Sequence, residues 1–297
     1  MNYIVLDLEW DSGFHPKYKR FINQILQIGA VKLNESLELV DSFEVCICSE
    51  FTKRVSGRFA RLTGITTQKM REGVPAQVAV KQYNEWAGKD TVTMTWSNSD
   101  LFAIKENEEL LLDGERFYIE KYIDLQRYIQ DEMARNGADT HNQISLADAA
   151  ALFDISTDEY SLHTARDDSL VCVRLLQKTF NEERFSAFIK DTRDPQFYKR
   201  LCFKPYYIND INDPLVDRSE LKFCCEQCGK ELKRISKWKY RNRNFSAIHH
   251  CNACEKNFCA RISFRKNYDN VVVKKRLTLP KVREEVKDEV QSVSTQV

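Results

Sequence analysis

Tyr3-Ile4-Val5-Leu6-Asp7-Leu8-Glu9-Trp10 is an apolar run interrupted by two carboxylates. Its aliphatic density reads as a strand in a sheet covered on both faces. Side chains alternate along a strand, so Asp7 and Glu9 share one face. Two like charges in a largely buried sheet are costly unless a cation accompanies them. Oxygen ligands of this kind suit Mg²⁺ or Mn²⁺. The plainer alternative is a pair at the strand end that reaches solvent.

Residues 24–33 and 39–48 read as two further strands, with short helices at 57–63 and 67–72. Val78 to Trp86 fits an amphipathic helix and Thr91 to Trp96 a fourth strand. A helix is expected from about Asp100 and a strand over 117–123. Further helices are expected over 125–136, 145–153 and 164–180. Three strands followed by alternating helices and strands predict an α/β domain with a mixed sheet.

Other acids join the first pair. Asp100 follows Thr-Trp-Ser-Asn-Ser, which puts it at a strand's carboxyl end or in the first turn of the next helix. In Leu162-His163-Thr164-Ala165-Arg166-Asp167-Asp168, Thr164 and Asp167 have the spacing of a capping box. A helix then starts at this point, with His163 just outside it and Asp168 in its first turn.

The order Asp7-x-Glu9, Asp100, His163-x4-Asp168 resembles the DEDDh group of 3′–5′ exonucleases, over about residues 1–185. Leu62-Thr-Gly-Ile-Thr66 is similar to a family segment that lies near the terminal nucleotide, and VLDLEW with WSNSD resembles the KapD-like bacterial branch. The resemblance implies an RNase H-like fold, with two Mg²⁺ or Mn²⁺ ions held by Asp7, Glu9, Asp100 and Asp168. It assigns His163 as general base, and it places Glu9 and the backbone near Leu8 against the terminal 3′-hydroxyl. Leu62 and Trp10 are candidates to pack on terminal bases, with core packing as the alternative.

Ten cysteines are distributed unevenly, and six of them fall within 224–259. Cys225-x2-Cys228 and Cys251-x2-Cys254 are spaced as a zinc ribbon, in which four thiolates hold a structural Zn²⁺. Cys224 is an alternative to Cys225, and His249 or His250 an alternative to Cys251. The loop from Lys230 to Phe245 is basic and aromatic. Lys233, Arg234, Lys237, Trp238, Lys239, Tyr240, Arg241 and Arg243 are its candidates for phosphate and base contacts.

The chain of 297 residues has a net charge of +1, which hides a charge of −9 over 1–185 and +10 over 186–297. Opposite fields fit two tasks. The expected organisation is an exonuclease domain at 1–185, a linker at 186–220, a β-rich zinc ribbon at 221–279 and a disordered tail at 280–297. No apolar run approaches the roughly 18 residues of a membrane span, and the first residues read as a strand rather than a signal peptide, so a cytoplasmic setting is expected. The leading expectation is an exonuclease on single-stranded nucleic acid, RNA before DNA. The alternatives are a DNA exonuclease of repair or proofreading, and a weakly catalytic nucleic-acid-binding regulator.

Overall fold

The computed structural model describes residues 2–140, 142–157 and 164–280. The chain forms two compact units that divide between Cys202 and Phe203. No described helix is long and apolar enough to cross a membrane.

In the first unit the elements run β1 (Asn2–His15), β2 (Arg20–Leu33), β3 (Leu39–Cys46), α1 (Gly57–Thr63), α2 (Thr67–Arg71), α3 (Ala76–Ala87), β4 (Thr91–Thr95) and α4 (Ser99–Leu110). They continue with β5 (Lys121–Asp124), α5 (Leu125–Arg135), α6 (Leu146–Leu152), α7 (Ala165–Thr179), α8 (Glu182–Phe188), β6 (Lys190–Asp191) and α9 (Pro195–Leu201). The sheet order is β3-β2-β1-β4-β5-β6. β1, β2 and β3 are antiparallel neighbours, whereas β1–β4 and β4–β5 are parallel. This is the mixed, helix-flanked sheet that the alternation of elements predicts.

The pleat of β1 sorts its residues between two cores. Tyr3 and Val5 enter one core with Val31, Leu33, Val92, Met94 and residues of α5, α6 and α7. Ile4, Leu6 and Leu8 enter the other with Ile28, Ala30 and residues of α3 and α4. Asp7 and Glu9 continue the first series, so they emerge on the face covered by α7. Immediately after Glu9 the β1–β2 register shifts by a bulge, which bends the strand where the second carboxylate ends its run.

Gly29 lies opposite Asp7 across the β1–β2 ladder. A Cβ there would come within 2.5 Å of Ala165 Cβ and 2.7 Å of the Arg166 backbone nitrogen. Only a glycine lets the first turn of α7 rest on the strand at this level. Thr164 caps that turn, accepting from the Asp167 N–H at 3.4 Å as the Thr-x-x-Asp spacing predicts.

In the second unit β7 (Tyr206–Tyr207), β8 (Lys233–Arg234), β9 (Lys239–Arg241), β10 (Asn244–Cys251), β11 (Lys256–Lys266) and β12 (Val271–Thr278) form another sheet. Its main path is β12-β11-β10-β8, with β7 on β11 and β9 on β10. Phe223, Leu232, Phe245, Phe258, Ile262 and Phe264 make its core.

Residues 186–220, expected as an extended linker, are shared between the units. β6 joins β5, α9 stays with the first unit, and β7 pairs with β11. The Asp and Asn residues that give this stretch its loop-like composition form local turns instead. Asp194, Asp210, Asp213 and Asp217 each accept a backbone N–H two residues on. The fifth strand starts at Lys121 rather than near 117. The expected tail after Pro280 lies outside the described residues.

Gly29→Ala is expected to lower the stability of the chain by about 1–3 kcal/mol through overpacking against α7. Gly57→Ala, where an added Cβ meets nothing within 4 Å, is expected to stay within about 0.5 kcal/mol of the parent. Denaturant unfolding of both variants checks the contrast.

Candidate functional site

Asp7, Glu9 and Asp168 each offer a carboxylate oxygen, and these oxygens all lie within 4.8 Å of one another. β1 supplies the first two and the capped first turn of α7 the third. Asp100 enters from α4. β1 and β4 pair only from Asn2 to Val5, so beyond Val5 the strand leaves a backbone donor unpaired on that side. The Leu8 N–H donates to Asp100 Oδ1 at 3.1 Å, which ties the head of α4 to β1. Asp100 is buried, at 4% exposure. The Leu8 N–H is thus engaged by Asp100.

The turn before α4 is held by a small polar cluster. Tyr122 Oη lies 2.7 Å from Thr95 Oγ1 and donates to Asn98 Oδ1 at 3.1 Å. This sets the direction of α4, and so of Asp100, from the neighbouring strand β5.

The carboxyls push one another's proton affinities up. Asp7 is held well above the usual carboxylate range by burial first, then by Asp100, Glu9 and Asp168. Glu9 is pushed up to about 8 by burial, with Asp168 and Asp100 adding to it. Burial pushes Asp100 up to about 7, opposed by the backbone N–H groups of Asp100 and Leu8. Among the described residues, the charged groups that raise Asp7 and Glu9 are other acids. A cluster of oxygen donors fits divalent metal, and hard ions such as Mg²⁺ or Mn²⁺ suit its all-oxygen donor set.

His163 lies outside the described residues; in sequence it adjoins Thr164, the cap of α7. Leu62 is exposed near the end of α1, and the following Gly64 closes that helix with φ 70°. Trp10 is half-buried against the α3–α4 core, as its packing alternative has it.

In the second unit Cys225, Cys228, Cys251 and Cys254 converge, their sulfurs all within 4.8 Å of one another. Cys225 Sγ lies 3.9 Å from Cys254 Sγ, and Cys228 Sγ lies 3.5 Å from Cys251 Sγ. Four thiolates about 2.3 Å from a tetrahedral zinc would stand about 3.8 Å apart, so this set fits Zn²⁺. The two halves are built alike. The residue after each second cysteine takes a left-handed turn, Gly229 at φ 71° and Glu255 at φ 51°. Burial raises the Cys251 thiol, but the Cys254 and Ala253 N–H groups and the neighbouring thiols outweigh it and bring it down to about 7. The Cys254 thiol is pushed the other way, up to about 12, by its hydrogen bonds with Cys228, Cys251 and Cys225 and by burial, so the sulfurs share protons and only a cation would let all four ionise together.

The alternative ligands are placed elsewhere. Cys224 is exposed outside the set. The His249 ring is buried 5.3 Å from Phe223 and 5.5 Å from Trp238. His250 Nδ1 lies 2.9 Å from Asn257 Oδ1.

Of the expected nucleic-acid contacts, Lys233, Arg234, Lys237, Lys239, Tyr240, Arg241 and Arg243 are exposed. Trp238 is half-buried, its ring engaged with the core through Phe223 and His249. Sequence spacing could not separate it from its exposed neighbours, because β9 and its flanks are too short to display a periodic pattern.

Residues 4–176 match the family model described as exonuclease, RNase T. No curated protein matches the chain. Among solved structures it is similar to cell-death related nuclease 4 (CRN-4), at 18% identity and TM-score 0.50, over 64% of this chain and 65% of that one. It is similar to a full-length 3′-exonuclease at 16% identity and TM-score 0.52, over 64% and 62%. It is also similar to the nuclease domain of 3′hExo, a DEDDh family member bound to rAMP, at 20% identity and TM-score 0.50, over 60% and 90%. The first two matches span less than two thirds of those proteins' own lengths.

Raised carboxyls bind protons more tightly in the folded chain than in the unfolded one. Their contribution to stability is full below the ordinary carboxyl range and is lost as pH rises through about 7 and 8. In buffer free of Mg²⁺ and Mn²⁺, the melting temperature of Asp100→Asn relative to the parent is expected to rise between about pH 5 and pH 8. Added Mn²⁺ should stabilise the parent more at the upper pH and the variant less. A pH-independent difference between the two proteins contradicts the repulsion. For the thiol set, Cys254→Ser is expected to take zinc content from about one ion per chain to near none and to expose the chain beyond Phe203 to protease. Elemental analysis and limited proteolysis read this out.

Proposed function

The chain belongs to the RNase T exonuclease family, and from that premise we propose that it is a metal-dependent 3′–5′ exonuclease of single-stranded nucleic acid. Its products are nucleoside 5′-monophosphates, and RNA is the favoured polymer. The observation that carries this reading is the convergence of Asp7, Glu9 and Asp168, with Asp100 tied to the same strand through Leu8.

Two Mg²⁺ or Mn²⁺ ions held by Asp7, Glu9, Asp100 and Asp168 would offset the charge of the phosphodiester and acidify the attacking water. The chain's own part is to hold these acids in place and to move one proton. Asp7, flanked by acids from three elements, would be a ligand to both ions. The bulge after Glu9 bends β1 beside the acids, and Glu9 receives the terminal 3′-hydroxyl. His163 accepts the proton of the water at its imidazole nitrogen. A histidine with an ordinary pKa near 6.5 suits this task at neutral pH. The basic surface of the second unit supplies phosphate contacts along the polymer.

His163→Ala is expected to retain the fold and lose about 10²–10⁴-fold in turnover. Asp7→Asn should abolish turnover. End-labelled RNA and DNA of one sequence, incubated with Mg²⁺ or Mn²⁺, would give a ladder of 3′-shortened products and free mononucleotides. Near-parent rates in either variant, or shortening from the 5′ end, overturn the assignment. Faster loss of the DNA strand moves the substrate to DNA.

A further inference from the structure

We propose that Tyr206, Tyr207, Tyr240, Arg243 and Arg265 form a base-stacking subsite for single-stranded nucleic acid on the second unit. The proposal rests on the nucleic-acid reading above for its choice of polymer and on the following geometry for its place.

These residues and Pro205 line an open cavity of about 430 Å³, a size suited to a small planar group. Tyr206 and Tyr240 are 48% and 41% exposed, although an edge strand and a hairpin next to a well-formed core offer ways to bury them. The Arg243 guanidinium sits 5.3 Å from the centre of the Tyr207 ring, a cation–π contact that keeps the charge at the cavity wall. Tyr207 lies opposite Arg265 in the β7–β11 pairing. Among the described residues neither arginine forms an ion pair with a carboxylate. Phenol rings beside unpaired guanidinium groups match a polymer of aromatic bases and phosphates, since the rings stack on any base and the cations meet the backbone.

The backbone supports the same reading. Asn242 and Arg243 have φ of 50° and 63° and join β9 to β10 as a two-residue turn. Asn-Gly is the favoured pair there, because the second position needs a left-handed backbone. An arginine at this position is conformationally unfavourable, and it delivers its guanidinium to Tyr207. Tyr206 and Tyr207 come from the stretch whose composition reads as a linker, so the subsite exists only once β7 has paired with β11.

The test uses the full chain without divalent metal, so that nothing is cut. A fluorescent 12-nucleotide oligothymidylate and an abasic strand of equal length and charge are titrated by anisotropy at several salt concentrations. The parent is expected to prefer the strand with bases. Tyr206→Ala should bind it about tenfold more weakly with an unchanged salt slope. Arg243→Gly relaxes the turn, so its unfolding midpoint should hold or rise while affinity falls and the salt slope drops by about 0.7. Equal binding of the two strands by the parent, or parent-like binding by both variants, overturns the proposal. Competition by polyphosphate that removes the strands equally assigns the surface to charge alone and also overturns it. Hydrolysis of a dinucleotide with Mn²⁺, measured in parallel, reports on the nuclease reading separately. Its absence leaves the binding result to stand or fall by itself.

Discussion

Acids gathered around the middle of β1 from that strand, α4 and α7 set the terms for the first unit. Burial raises the proton affinities of Asp7, Glu9 and Asp100, and the neighbouring carboxylates add to it at Asp7 and Glu9. The fold resists this through contacts that have little to do with the acids themselves. Two apolar cores clamp β1 from both faces. Gly29 lets α7 press against the strand, and the Leu8 N–H secures Asp100. Remove the glycine or the capped turn at Thr164 and Asp168 loses its place, although neither residue is an acid of the site. Any divalent cation that binds these acids in the folded chain would offset their repulsion and so favour the folded state.

The second unit solves a different problem. Its six-stranded sheet encloses a core in which Phe223, Phe245, Phe258 and Phe264 pack beside Cys225 and Cys251, so the convergent sulfurs stand at the edge of the apolar cluster, where a bound ion would clamp it. The left-handed turns at Gly229 and Glu255 bring each pair of sulfurs to one side. The same strands display lysines and arginines outward, giving this part of the chain its positive charge against the negative charge of the first.

Much of this was legible in the residues. The alternation in Tyr3–Trp10 placed both carboxylates on one face, and the Thr164–Asp167 spacing located the start of α7 and hence Asp168. The paired Cys-x-x-Cys spacing picked out the sulfurs that meet. Other features gave no local signal. The role of Gly29 depends on a helix more than a hundred residues away. Trp238 and Tyr240 are two residues apart in one basic loop, yet Trp238 packs on Phe223 and His249 while Tyr240 stays open to solvent. The stretch around Tyr206 carries the Pro, Asn and Asp of a connector, but its turns and a two-residue strand tie it to β11.

By itself, then, the amino-acid order determined most of the strand and helix order up to about residue 180, the identity of the acids and thiols, and the division of charge, because these depend on periodicity, capping and ligand chemistry within short windows. Tertiary structure alone decided which backbone donor holds Asp100, which glycine admits α7, and which aromatic rings remain available at the surface. Those outcomes are set by contacts between residues far apart in the chain, where packing and hydrogen-bond satisfaction outweigh any local preference.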